Sequence, residues 1–334
     1  MASSWVKKLK RDLYDAGTKL LALASSATTP VPELLNVLDQ VDGLLSKVAQ
    51  RPFGSMEPAL YVSMKALISD QLMKHSDIDV KVSVASCMSE ITRISAPNAP
   101  YHDAQMKEIF HLKLMALGKL SSEDPRGYSK ALHILDNMTR VRACLLMLDL
   151  ECDDLIADMF KLFLSTIRND NHSSVVFEQM ESIMTRTIKE SDEIPEELLD
   201  ILLTSVNMRE ERFWSRTWIL AEIVLRNCTS ELQHLIPKFV RSRELNYDDY
   251  CTTVATMCLN FTEDENVVRV SPSIFTFLYG IKLCFCTQNS SSKNVDTYNF
   301  RGLRIFVLVI FFLAETIMMK RKVKAKVRAQ VKAE

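Results

Sequence analysis

Apolar residues recur along most of this chain at steps of three and four, the period of an amphipathic helix. The cleanest case lies in residues 75–101, HSDIDVKVSVASCMSEITRISAPNAPY. Val80, Val84, Cys87, Ile91 and Ile94 form one stripe, and Lys81, Ser83, Ser86, Ser89, Glu90 and Arg93 occupy the other positions. Asp77 and Asp79 stand where the unpaired N–H groups and the positive dipole end of a helix favour oxygen or negative charge. Pro97 and Pro100 lack a donor N–H and push Ala96 and Ala99 out of helical geometry. The pattern therefore predicts a helix over 77–95, a proline-bracketed link, and a following helix packed back against the first.

The same reading predicts helices over 5–23, 33–49, 58–74, 101–120, 127–148, 153–168, 174–190, 195–207 and 213–228, and two weaker ones over 230–241 and 247–261. In the first, Trp5, Leu9, Leu13, Ala16 and Leu20 share a side. Residues 127–148 read as one long helix, and Pro195 falls near a first helical position after SDE. No run of alternating strands precedes residue 265. About a dozen helices with short links, paired at roughly 40 residues, predict an all-α fold, an α-solenoid of HEAT-type repeats. An irregular helical bundle is the competing architecture, because self-similarity between the repeats is weak.

The periodicity is lost near residue 262. This divides the chain into a solenoid, 1–262, and an irregular C-terminal tail, 263–334. The tail holds an apolar run over 305–319, interrupted by Glu315, and a basic end over 320–332. A bilayer needs about 20 apolar residues, so the run is short for a span. Three readings stay open: a marginal tail anchor, an apolar patch with a basic end, or sequence foreign to the helical array, such as translated non-coding sequence. The basic end, with Lys320, Arg321, Lys322, Lys324, Lys326 and Arg328, suits nucleic acid, lipid head groups or an import receptor, or is a solvated segment.

Composition narrows the function classes. The chain has 334 residues, 47% hydrophobic and 25% charged, enough for a sizeable core. Only 7 glycines argue against an all-β fold and against phosphate-cradling loops. A formal net charge of −1 gives the whole molecule no electrostatic affinity for nucleic acid. The 8 cysteines show no paired zinc spacing and read as reduced, structural thiols of an intracellular protein. The basic N-terminus, MASSWVKKLKRDL, has no long apolar run after it and does not read as a secretory signal.

Candidate chemistry is sparse. The six histidines form no metal-binding pair, and no nucleophile elbow, Walker loop or dinucleotide fingerprint occurs. A histidine beside a helix end, such as His102, reads as a capping or solvated residue. Glu151, Cys152, Asp153 and Asp154 read as a helix start rather than a calcium loop, and Glu196/Glu197 and Glu210/Glu211 as solvated. The expectation is no enzyme, no cofactor, no metal and no small-molecule substrate.

The stretch that carries the clean stripe resembles the N-terminal part of the Pds-five family of cohesin-associated sister chromatid cohesion factors, most closely its plant members. The residues that carry the resemblance are Asp79-Val80-Lys81-Val82, Val84-Ala85-Ser86-Cys87, Glu90-Ile91-Thr92-Arg93-Ile94 and Ala96-Pro97-Asn98-Ala99-Pro100-Tyr101. Further matches are Met106 to Phe110, Val141-Arg142, Met147 to Cys152, and Ile194 to Leu199, so the likeness covers roughly residues 10–240. It implies HEAT repeats, no catalysis, a nuclear and chromatin-bound location, and roles in cohesion, its release and DNA repair. It implies a kleisin subunit of cohesin and a Wapl-type release factor as partners, with chromatin contacted indirectly. It places a partner site at Ala96, Pro97, Asn98, Ala99, Pro100 and Tyr101, with Lys81 also counted. Asn98 stands where the family usually has aspartate, which removes a hydrogen bond to a charged group worth about 1.5–3 kcal/mol if buried. The alternative reading of the whole chain is a tail-anchored membrane protein with a cytosolic helical interaction domain.

Overall fold

A computed structural model describes residues 4–26, 29–52, 54–167, 172–209 and 215–261. Among the described residues every regular element is a helix, and the one strand-like pairing is an isolated antiparallel bridge between Asn207 and Tyr250. The helices are α1 (Ser4–Ala24), α2 (Val31–Leu45), α3 (Glu57–Leu67), α4 (Asp70–Met73), α5 (Ile78–Ser95), α6 (Asp103–Leu117), α7 (Pro125–Arg140) and α8 (Ala143–Asp149). They continue with α9 (Asp153–Thr166), α10 (Ser174–Glu190), α11 (Glu196–Ser205), α12 (Arg216–Asn227), α13 (Thr229–Leu232), α14 (Leu235–Ser242) and α15 (Thr252–Asn260). Short 3-10 turns lie at Gly54–Met56, Gly118–Ser121 and Tyr247–Asp249. The tail, with its apolar run and basic end, lies outside the described residues.

The helices stack in two rows. α2, α5, α7, α10 and α12 touch in succession along one row, and α6, α9, α11 and α14 along the other. Contacts of α6 with α5 and α7, and of α11 with α12, join the rows, and α1 packs on α2 and α3 at the N-terminal end. This is the α-solenoid that the periodicity predicts, and the link after α5 does return α6 against it.

Local chemistry explains most boundaries. The Asp77 carboxylate accepts from the Asp79 and Val80 N–H groups at 2.8 and 3.1 Å and starts α5. His102 caps α6, its Nδ1 accepting from Gln105 N–H at 3.4 Å. Pro195 immediately precedes α11, with Glu196 and Glu197 exposed in its first turn.

Four expectations are corrected. The stretch 127–148 is two helices, because Arg142 takes a left-handed conformation (φ 54°) that no α-helix continues through. The stretches 58–74 and 230–241 also split, each into two helices separated by a short turn. Trp5 is 57% exposed although it shares the apolar side of α1, whose Leu9, Leu13, Ala16 and Leu20 are buried.

The largest departure concerns α5. Beyond its first turn, its positions between the stripe residues do not face water. α5 is touched by α2, α3, α4, α6 and α7, and Ser83, Ser86, Ser89, Glu90, Thr92 and Arg93 are all buried. It is the central rod of the N-terminal half, enclosed all round from Val82 to Ile94.

Candidate functional site

The link Ala96–Tyr101 begins where α5 stops. Ala96 is buried, Pro97, Asn98 and Ala99 are exposed, and Pro100 and Tyr101 are half-buried. Pro97 follows a cis peptide bond. The link is therefore a crest with two anchored feet.

The first foot is the Ala96 carbonyl, which accepts from Gln50 Nε2 at 3.0 Å and Arg51 Nε at 3.2 Å. The Arg51 backbone N–H also donates to the Ile94 carbonyl at 2.9 Å. Arg51 itself holds φ 50°, an uncommon conformation for a side-chain-bearing residue, so the α2–α3 connection is shaped to meet the end of α5. The second foot is Tyr101, whose hydroxyl donates to the Met64 carbonyl of α3 at 3.1 Å. Burial pushes that phenol above its ordinary pKa. Between the feet, the Asn98 N–H donates to the Ser95 carbonyl at 3.1 Å.

A buried polar network sets the height of this crest. Arg93 points back to α2 and donates to the Leu45 and Val48 carbonyls at 3.1 and 2.8 Å. These carbonyls lie at and just past the end of α2, where the Leu45 carbonyl also accepts from the Val48 N–H at 2.9 Å. Glu90 holds Arg93, with Oε2 2.7 Å from Nε and 2.6 Å from Nη2. Glu90 Oε1 in turn takes Asn137 Nδ2 at 2.9 Å and a very short contact from His133 Nε2, both on α7. Burial by itself would raise the Glu90 carboxyl. Hydrogen bonds from His133, Asn137 and Arg93, and the guanidinium charge, outweigh it and bring the pKa down to about 2. Hydrogen bonding to Glu90 raises His133 against the opposing effect of burial.

Two flanking groups complete the surroundings. Lys113 of α6 is 1% exposed, donates to Thr92 Oγ1 at 2.9 Å and lies 5.3 Å from the Phe110 ring centre. Burial lowers its pKa to about 7. On the other side Lys130 bridges Asp39 and Asp42 of α2 at 2.8 and 2.9 Å, and Ser86 of α5 donates to Asp42 at 2.8 Å. Together these bonds fasten α2, α5, α6 and α7 into one block beneath the link.

Six of the seven sequence-predicted site residues are thus contiguous. Lys81 is not brought to them. It is half-buried near the start of α5, 15 residues before Ala96, which at about 1.5 Å per residue is about 22 Å along the axis. Sequence reasoning missed Gln50, Arg51 and Met64, which hold the link, and Glu90, Arg93, His133 and Asn137, which hold those holders. Glu90 and Arg93 at a spacing of three, and His133 and Asn137 at a spacing of four, are the local signals that could have found the network. The partners across helices are more than 40 residues away and leave no local trace.

The crest offers two exposed features to a polypeptide: the prolyl and alanyl surface of Pro97 and Ala99, and the Asn98 side chain, which both donates and accepts. Elsewhere, the buried thiols Cys87, Cys144, Cys228 and Cys251 are all raised by burial, Cys228 and Cys251 to about 12, and are poor nucleophiles in that state. Among the described residues no three His, Cys, Asp or Glu side chains gather in a metal-holding group.

Comparison with known proteins assigns the chain. Residues 32–275 match the family described as "Sister chromatid cohesion protein PDS5 protein". The chain is 44% identical over 252 residues to the Arabidopsis thaliana sister chromatid cohesion protein PDS5 homolog C, covering 75% of this chain and 28% of that protein. It is 43% identical over 251 residues to PDS5 homolog D of the same plant, covering 75% of this chain and 30% of that protein. A Xenopus laevis relative, PDS5 homolog B-B, is 28% identical over 175 residues, 52% of this chain and 12% of the relative. The chain thus spans less than a third of the length of these relatives. Among solved structures, a chain of the Pds5-Scc1 complex superposes with a TM-score of 0.56 at 24% identity, over 69% of this chain and 36% of that one, a likeness of fold. The family match over residues 32–275 and the plant relatives at 43% and 44% identity lead to one assignment: this chain belongs to the PDS5 family of sister chromatid cohesion proteins.

Proposed function

We propose that this chain is a non-enzymatic, cohesin-associated scaffold that acts in the nucleus in sister chromatid cohesion and its release, with a role in DNA repair. It binds short extended peptides of cohesin and its regulators, a kleisin subunit and a Wapl-type release factor, on the crest from Ala96 to Tyr101. The observation that carries the reading is the crest itself. Pro97, Asn98 and Ala99 are exposed while both ends are tied to neighbouring helices. A presentation surface held in advance loses little conformational freedom on binding. The complex named for a structural relative, Pds5-Scc1, supports a kleisin-type partner, and the family supports a chromosomal role. Among the described residues no helix is long and apolar enough to cross a membrane.

The test uses the full chain, immobilised, with a Wapl-type or kleisin-type peptide. Ala99→Arg puts a large charge on an exposed position that supports no part of the fold, and it should weaken retention at least about tenfold. Asn98→Asp should strengthen it about three- to tenfold by restoring a charged acceptor. Unchanged retention by the Ala99→Arg protein, or no retention of either peptide by the native chain at low salt, refutes the reading.

A further inference from the structure

A second surface lies later in the helical array, among helices far from the link in sequence. The connection from α10 to α11, the first turn of α11, and helices α13 and α14 enclose a groove of about 600 Å³. Its floor is apolar: Leu199 and Phe239 are buried there, and Ile194 and Leu235 are half-buried. Its walls carry Asp192, Glu193, Glu196 and Glu231. The cations at hand are Lys238 on the rim and Arg243, which reaches Glu196 at 3.3 Å. The walls are therefore net negative, and over residues 1–261 acidic side chains outnumber basic ones.

The charge of the walls points to an occupant. Four carboxylates line the groove, and of the two cations at hand Arg243 is already committed to Glu196. A cationic ligand is therefore the complementary one.

We propose that this groove docks a basic segment of a partner protein, an extended peptide in which lysines or arginines flank one large apolar side chain. The apolar residue covers the half-buried Ile194 and Leu235, and the flanking cations meet Asp192 and Glu193 at the mouth. This is a docking surface separate from the crest at Ala96–Tyr101, built from other helices and of opposite character, since the crest carries no ionised side chain.

The experiment measures fluorescence anisotropy of a labelled synthetic peptide in which lysines and arginines flank a single leucine, titrated with the full chain at low and at physiological salt. The expected result is saturable binding that weakens with salt and is absent for a peptide of the same length with glutamates in place of the cations. Asp192→Lys combined with Glu193→Lys should weaken binding at least about tenfold. Both residues are exposed, so the fold is not at stake. Glu57→Lys, an exposed acid on α3, should leave binding unchanged. Ala99→Arg should also leave it unchanged, so that failure of the crest reading and failure of this one are separable. Equal affinity for the doubly reversed protein, or an equal loss in the Glu57→Lys protein, overturns the proposal.

Discussion

Replacing Glu90 by glutamine tests whether the buried network governs the link. The substitution keeps the volume and removes the charge. Glu90 is 1% exposed, and its carboxyl falls from an ordinary 4.5 to about 2. At about 1.4 kcal/mol per tenfold change in proton affinity, that is about 3 kcal/mol of stability at neutral pH. Removing one partner of a buried pair also strands the other, here Arg93, and such changes cost about 3–5 kcal/mol. The sign in pH follows from the lowered carboxyl. Its contribution is present above about 4.5, and it is lost as the pH falls towards about 2. Urea unfolding followed by circular dichroism should therefore show Glu90→Gln about 3–5 kcal/mol less stable at pH 7. Between pH 4.5 and 2 the gap to the native chain should narrow. Native-state hydrogen exchange adds a local readout. The Arg51 and Asn98 amides, hydrogen-bonded to the end of α5, should exchange about a hundredfold faster, since about 3 kcal/mol corresponds to about two decades. A variant within about 0.5 kcal/mol of the native chain, or one with unchanged exchange at both amides, would refute the reasoning.

Other expectations follow from single contacts. Lys113→Met should raise the melting temperature at pH 6–7, because it removes a buried amine that burial already pulls down to about 7. In the native chain the unfolded state binds more protons than the folded one between about 7 and 10.5, so stability should rise over that range, and the Lys113→Met protein should lack the rise. Gly17→Ala should cost about 1–3 kcal/mol in the same unfolding assay. The new Cβ would lie 2.6 Å from Ser63 Oγ and 3.1 Å from its backbone nitrogen, where α1 and α3 meet most closely. A neutral Gly17→Ala would mean that the two helices separate without cost.

The sequence by itself determined the helical class, most of the boundaries and the position of the crest. Those depend on neighbours three or four residues apart: the Asp77 cap, the Val80–Ile94 stripe and the prolines at 97 and 100 act within one turn of chain. It also carried the family, whose matching residues are contiguous words. It did not determine that α5 is enclosed on every side from Val82 to Ile94. Its serines, Glu90 and Arg93 read as a solvent face until α2 and α7 bring Asp42, the Leu45 and Val48 carbonyls, His133 and Asn137 against them. Nor did it show what holds the crest, since Gln50, Arg51 and Met64 lie 37 to 46 residues upstream of the atoms they meet. The break at Arg142 was invisible for a related reason. Apolar spacing runs on through it, while the backbone turns left-handed at Arg142 and α8 goes on to pack against α9 as well as α10. A polar side chain on a periodic helix declares only its direction. Whether water or another helix waits in that direction is settled when the rows stack.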